Sequence, residues 1–291
     1  MLTAITNPSQ SARYSRDMVR YCVLSLTILL VAPLAAARTA HAAEAAPVTL
    51  RIAAEEARQG VASDGVHVYA IDNDRIGKYR ISDGVRVARW QGERAQFPHM
   101  NSCTVVRSEL ICAASNYPAL PQTSAIEIFD TKSLRHLRSI SLGMGLGSLT
   151  ALDWHGGHWW AIFANYDGKG GEPGRDHRYT TLVQLDDRFR QLRGWLFPAS
   201  LLARFAPFSC SGMSWSDEGT LYVTGHDRPE LYALRLPQAG STLDHLGTIA
   251  IATEGQAIDW DPKVPGRLWS IMRGQAVLAA SAITWRKDDR P

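Results

Sequence analysis

Apolar and polar positions alternate along most of this chain in runs too short for helices and too regular for loops. The clearest runs are Val68-Tyr69-Ala70-Ile71, Leu110-Ile111-Cys112-Ala113, Trp159-Trp160-Ala161-Ile162-Phe163, Leu221-Tyr222-Val223-Thr224 and Leu268-Trp269-Ser270-Ile271. Each reads as a strand bounded by turn residues. Upstream of each run lies a second apolar segment, and the five segments align as Gly60-Val61-Ala62-Ser63, Ser102-Cys103-Thr104-Val105, Ala151-Leu152-Asp153-Trp154, Gly212-Met213-Ser214-Trp215 and Ala257-Ile258-Asp259-Trp260. A neutral polar residue precedes every one: Gln59, Asn101, Thr150, Ser211 and Gln256. Self-similarity at roughly 40 to 60 residues, with several short strands per unit, predicts an all-β, five-bladed β-propeller.

The predicted blades run from Gln59 to Trp90, Asn101 to Leu142, Thr150 to Leu196, Ser211 to Ile251, and from Gln256 to Ile283. The last lacks a fourth strand. Val48-Thr49-Leu50-Arg51-Ile52 alternates and has no other home, so it is expected to close blade five as its outer strand. Ser63-Asp64-Gly65 and Ser216-Asp217-Glu218-Gly219 supply the Asx and positive-φ residues that tight turns need. The glycine-rich stretch at 168–179 reads as a flexible loop and a candidate lid.

Ahead of the repeats, Arg13, Arg16 and Arg20 precede an apolar run from Tyr21 to Ala37, followed by Ala40-His41-Ala42. This is the form of a signal peptide over residues 1–42, leaving 43–291 as a single propeller domain in the periplasm or secreted. An uncleaved anchor is the alternative, since the run is near the lower limit of about 17 residues for a spanning helix. Loss of the leader takes four Arg and one Asp from 31 basic and 28 acidic residues, leaving 27 of each. A mature chain without net charge offers no compositional support for binding nucleic acid, and no membrane association is expected after cleavage.

Three cysteines follow the leader. Cys103 and Cys112 flank a hairpin turn at Arg107-Ser108 that sets them opposite one another, so the register admits a disulfide in an oxidising compartment. Two buried free thiols are the alternative.

In a propeller the first strand of each blade lines the channel, which brings Gln59, Asn101, Thr150, Ser211 and Gln256 towards one axis. His99 lies one pleat earlier in its strand. The ends of the second strands reach the same face, adding Asn116 and Tyr117, Asn165 and Tyr166, His226 and Asp227, and Arg273. These residues make a candidate pocket for a small polar molecule or short peptide, walled by two tyrosines. A channel whose polar residues only satisfy one another and water is the competing explanation. His99 and His226, with Asp227, are the acid/base candidates because imidazole titrates near neutrality.

No metal site or cofactor is expected. His155 and His158 share a turn at the far end of blade three, and the five ring positions carry no carboxylate for a hard cation. Ser209, Cys210 and Ser211 lie near His226 and Asp227 without the Gly-x-Ser-x-Gly elbow of a hydrolase.

Gln59-Gly60 followed by Val68-Tyr69, and Tyr222-Val223-Thr224-Gly225-His226-Asp227-Arg228-Pro229-Glu230-Leu231-Tyr232, resemble the propeller-type glutaminyl cyclotransferases. The chain also resembles the broad class of YWTD-, NHL- and YVTN-like bacterial propellers. The first resemblance implies non-hydrolytic cyclisation of N-terminal glutamine. Ala70 stands where that family has an acidic residue, with Asp72 the candidate substitute. The expected function is a non-hydrolytic enzyme of cyclase, isomerase or lyase type; the alternative is a ligand- or protein-binding scaffold without turnover.

Overall fold

The structure, a computed structural model, describes residues 45–284, and the leader falls outside them. Twenty strands form five antiparallel four-stranded sheets. Blade 1 holds β2 (Gly60–Ser63), β3 (His67–Asp72), β4 (Arg75–Arg80) and β5 (Arg86–Gln91). Blade 2 holds β6 (His99–Val106), β7 (Glu109–Ser115), β8 (Thr123–Asp130) and β9 (His136–Met144). Blade 3 is built from β10 (Ser148–His155), β11 (His158–Ala164), β12 (Thr181–Leu185) and β13 (Gln191–Leu196). Blade 4 follows with β14 (Gly212–Trp215), β15 (Leu221–Thr224), β16 (Glu230–Arg235) and β17 (Asp244–Ala250). Blade 5 takes β18 (Ile258–Trp260), β19 (Arg267–Met272) and β20 (Val277–Ala282), then β1 (Val48–Ala53) from the other end of the chain as its outer strand. The expected closure is present.

Second strands are buried on both faces, which is why they read as unbroken apolar runs; β7 and β11 are buried at every position but the first. Outer strands such as β5 alternate between partly covered and exposed positions, because one face of the rim meets water. The buried side chains form five clusters, each joining two neighbouring blades. Trp269 and Ile271 of blade 5 pack with Val68 and Ala70 of blade 1, so the ring has no apolar seam.

Two turns show how local chemistry sets the hairpins. Asp64 Oδ1 accepts from Val66 N at 2.8 Å and His67 N at 2.6 Å, while Gly65 takes φ 74°. In blade 2 the turn at Arg107-Ser108 puts Cys103 opposite Cys112, and the two are disulfide-bonded. Replacing both by alanine frees a short loop in the unfolded chain and is expected to cost about 2–3 kcal/mol. A differential scanning calorimeter should read this as a fall of about 5–10 °C.

Two elements are not anticipated by the strand periodicity: a 3-10 turn at His177–Tyr179 within blade 3 and helix α1 (Ala199–Phe205) between blades 3 and 4. The helix's Leu201, Leu202 and Phe205 cover the apolar cluster that joins those blades.

Candidate functional site

The starts of the first strands and the ends of the second strands share one face of the ring, here called the mouth. Gln59 and Gln256 do lie on neighbouring first-strand entries, since Ala257 N donates to Gln59 O. The ring of polar residues turns largely towards the next blade instead of the axis. Asn101 Nδ2 donates to Leu149 O at 2.8 Å, and Thr150 Oγ1 donates to Cys210 O at 2.8 Å. Each ties its blade to the following one. Gln256 is buried with φ 71°, and its carbonyl accepts from Thr224 Oγ1. Ser211 and Gln59 are half-buried.

Loop braces account for two more candidates. Asn116 Nδ2 donates to Pro121 O and its Oδ1 accepts from Thr123 N, which fixes the turn after β7. Asn165 Nδ2 reaches Leu146 O and Tyr179 O. The candidate lid is docked: Gln122 donates from its backbone N to Glu172 Oε1 and from Nε2 to Gly170 O. Gly170, at φ 80°, lies so close to the Tyr117 ring that a Cβ there would collide with it.

Two constellations remain at the mouth. In the first, Asp72 is held by Arg75 and accepts from Asn73 Nδ2 at 2.9 Å, which turns Asn73 Oδ1 towards His99. His99 Nδ1–H donates to that oxygen at 2.5 Å, which leaves the lone pair of the neutral ring on Nε2, and the Asn101 side chain also hydrogen-bonds this imidazole. The ring lies 5.1 Å from Tyr117, and Tyr117 lies 5.1 Å from Tyr166. Burial, then the Arg94 charge, push the imidazole down to about 4, against the pull of Asp72. His99 is neutral at pH 7.

The second constellation is His226, Asp227 and Arg273. His226 stacks on Phe208 at 3.9 Å; its Nδ1–H donates to Asp227 Oδ1 at 2.7 Å and its Nε2 accepts from Arg273 Nη1 at 3.2 Å. Arg273 Nη2 closes the set on Asp227 Oδ1 at 2.6 Å. Burial and then Arg273 lower the His226 pKa. The His226 charge also disfavours protonation of His99, so blades 2 and 4 meet electrostatically here. Asp72, bound by Arg75 and Asn73, is not free to replace the acid missing at Ala70, which is buried in apolar packing.

At the opposite end of the channel lies a cavity of about 520 Å³ lined by none of the residues above. Its floor carries Asp153 and Asp259. Asp153 accepts from Trp154 N and Trp215 N, each at 2.8 Å, and from Thr104 Oγ1 at 3.2 Å. Asp259 accepts from Ser63 N at 2.7 Å and from Ser214 Oγ at 3.4 Å. Burial raises Asp153 to about 6; burial and then the Asp153 charge raise Asp259 well above the usual carboxylate range. The signal in the sequence was the aligned pairs Asp153-Trp154, Ser214-Trp215 and Asp259-Trp260, which end three first strands alike.

The fold is similar to that of a glutaminyl cyclase from Myxococcus xanthus, with a TM-score of 0.54 and 12% identity over 81% of this chain and 94% of that one. The PQQ-bound aldose sugar dehydrogenase of Streptomyces coelicolor aligns with a TM-score of 0.49 and 14% identity over 78% of each chain. The Cps50 (Swd1) β-propeller domain of Myceliophteria thermophila gives 0.38 and 12% over 78% of this chain and 84% of that one. No family model matches the chain, and no curated protein does. At these identities the likeness is one of fold alone.

Proposed function

We propose that the chain is an exported propeller whose mouth binds a small polar molecule or short peptide and transfers a proton within it, without hydrolysis. The observation that carries this reading is His99: a neutral, partly buried imidazole whose Nδ1–H is anchored by Asn73, beside the Tyr117 ring. A base of this kind needs its lone pair free and its orientation fixed. Tyr117 and Tyr166 supply an apolar wall, and Arg273 supplies a cation held in place by Asp227.

The glutaminyl cyclase neighbour suggests the first substrate to try, a peptide with N-terminal glutamine. In that reaction the α-amino nitrogen attacks the side-chain amide carbon, the ring C–N bond forms and the C–NH2 bond breaks. His99 Nε2 would take the proton of the attacking amine and pass it to the departing nitrogen, which leaves as ammonia. No water is consumed.

A second reading, binding without turnover, is favoured by Arg273, which occupies Nε2 of His226 and so takes that imidazole out of use as a base. Mass spectrometry of glutaminyl peptides incubated with the protein separates the two. Under the first reading His99→Asn lowers turnover at least tenfold with ligand affinity within a few-fold. Turnover unchanged in His99→Asn removes the residue from the chemistry. Binding without any product, weakened chiefly by Tyr117→Ala and Tyr166→Ala, establishes the second reading.

A further inference from the structure

The cavity at the other end of the channel has a composition that the mouth does not share. Five carboxylates line it, those of Asp153, Asp217, Glu218, Asp259 and Asp261, against one guanidinium, Arg107. His155 also lines it, stacked on Trp215 at 4.7 Å, with its pKa lowered by burial. Asp261 is already answered by Trp269 Nε1 at 3.1 Å and Arg267 Nη1 at 3.5 Å. Asp153 and Asp259 are more than nine-tenths buried and have no basic partner among the described residues; their contacts are backbone amides and hydroxyls. Buried carboxylates are ordinarily paired with a cation or hold one.

The bonds to Trp215 N and Ser63 N show part of what these carboxylates do, since each ties one blade to the next. Burial and the Asp153 charge favour the neutral form of Asp259, which an ammonium beside it would ionise; the ionised carboxylate offers about four acceptor positions, of which two are used, one by a long contact. Capacity remains. A metal ion is poorly served: among the described residues, the acidic, histidine or cysteine ligand atoms that gather in threes within 4.8 Å are those of Asp167, Asp176 and His177, not those of the cavity floor. A larger cation suits the walls, where Trp154, Trp215 and Trp260 present aromatic surface to the same space. The indole N–H groups of Trp215 and Trp260 are buried at the edge of the same cavity without a partner; as donors they call for an acceptor, so an ammonium group is held by the carboxylates and the ring faces alone.

We propose that this cavity is a second ligand site, which takes a small organic amine with its ammonium group on Asp153 and Asp259 and its carbon chain against the tryptophan rings. Exposed Asp217 and Glu218 at its edge add long-range attraction for a cation.

Isothermal titration of the full-length protein with putrescine tests the assignment, with calcium chloride and glucose as separate titrants. Putrescine is expected to bind one to one, at least tenfold more tightly at pH 8 than at pH 5, where protonated carboxylates lose their charge. Asp259→Asn is expected to weaken binding at least tenfold. If that variant loses its cooperative melt, the pair Asp217→Asn and Glu218→Gln, which leaves the ties between blades intact, is expected to weaken binding a few-fold and flatten its salt dependence. Absence of putrescine binding at millimolar concentration overturns the proposal, as does preference for calcium, glucose binding in place of the amine, or affinity unchanged in all folded variants. Binding at the mouth is read in the same variants and stays as in the wild type, so either site fails on its own.

Discussion

Deleting residues 45–53 is expected to leave a protein with no cooperative thermal transition and a strong tendency to aggregate. Those residues include β1, whose pairing with β20 runs from Val48 opposite Ser281 to Ala53 opposite Val277. Ile52 is 3% exposed and joins the cluster shared by Trp269, Leu278, Val61 and Val68. Burial of that side chain is worth about 1.5–3 kcal/mol, and each lost ladder hydrogen bond about 0.5–1.5 kcal/mol. Together these approach the whole net stability of a domain, about 5–15 kcal/mol. The loss also uncovers the edge of β20 across an otherwise closed ring, which is a template for pairing with another chain. Far-UV circular dichroism melts and size exclusion read both effects. A peptide of residues 45–53 added in trans should restore the transition, because it can occupy the same edge. A truncated chain that stays monomeric and melts within about 5 °C of the intact one would show that closure adds little, against the few degrees expected for each kcal/mol in a domain of this size.

The blades were legible in the sequence because two constraints coincide: a period of two within each strand and recurrence of the same strand pattern from blade to blade. Second strands such as β11 must be apolar throughout, since both faces are covered, and the Trp159-to-Phe163 run announces this without any tertiary information. The placement of Cys103 against Cys112 needed only a two-residue turn. Side-chain direction at the channel was not legible. Asn101 and Thr150 have the composition of a binding ring, yet a carbonyl of the adjacent blade is nearer to each than any ligand needs to be, and no periodicity encodes that distance. The 168–179 loop misled for a related reason: its glycines read as freedom, whereas Gly170 is required by close approach to Tyr117. Helix α1 is a short insertion set between Pro198 and Pro207, too brief for a helical period to show. The paired Asp-Trp and Ser-Trp ends of three first strands were visible, but nothing in one chain reveals that they face a common space.

Between pH 4 and 6 the two ends of the channel should pull the stability of the fold in opposite directions, and single variants should expose each pull. Asp153 is raised from 3.8 to about 6 on folding. Between those values the folded state holds a proton that the unfolded chain has released. Its contribution is therefore complete below pH 3.8 and is lost as the pH rises through about 6; at about 1.4 kcal/mol per pH unit it amounts to about 3 kcal/mol. His99 is depressed from 6.5 to about 4, chiefly by burial. Here the unfolded chain binds the extra proton, so its contribution is complete above pH 6.5 and is lost as the pH falls through about 4, again about 3 kcal/mol. The two nearly offset in the wild type. In His99→Asn the Asp153 linkage is left without its opponent, and urea melts at pH 4, 5, 6 and 7 should show stability falling more steeply with rising pH than in the wild type. Asp153→Asn should tilt the profile the other way, because it removes the proton that the folded state holds in this window. The slope is the quantity to compare, since Asp153→Asn additionally disturbs the bonds from Trp154 N and Trp215 N and so lowers stability at every pH. Parallel profiles in the two variants would mean that neither group is shielded from water as the fold requires, and with that the neutral imidazole at the mouth and the uncompensated carboxylate at the floor would both fall.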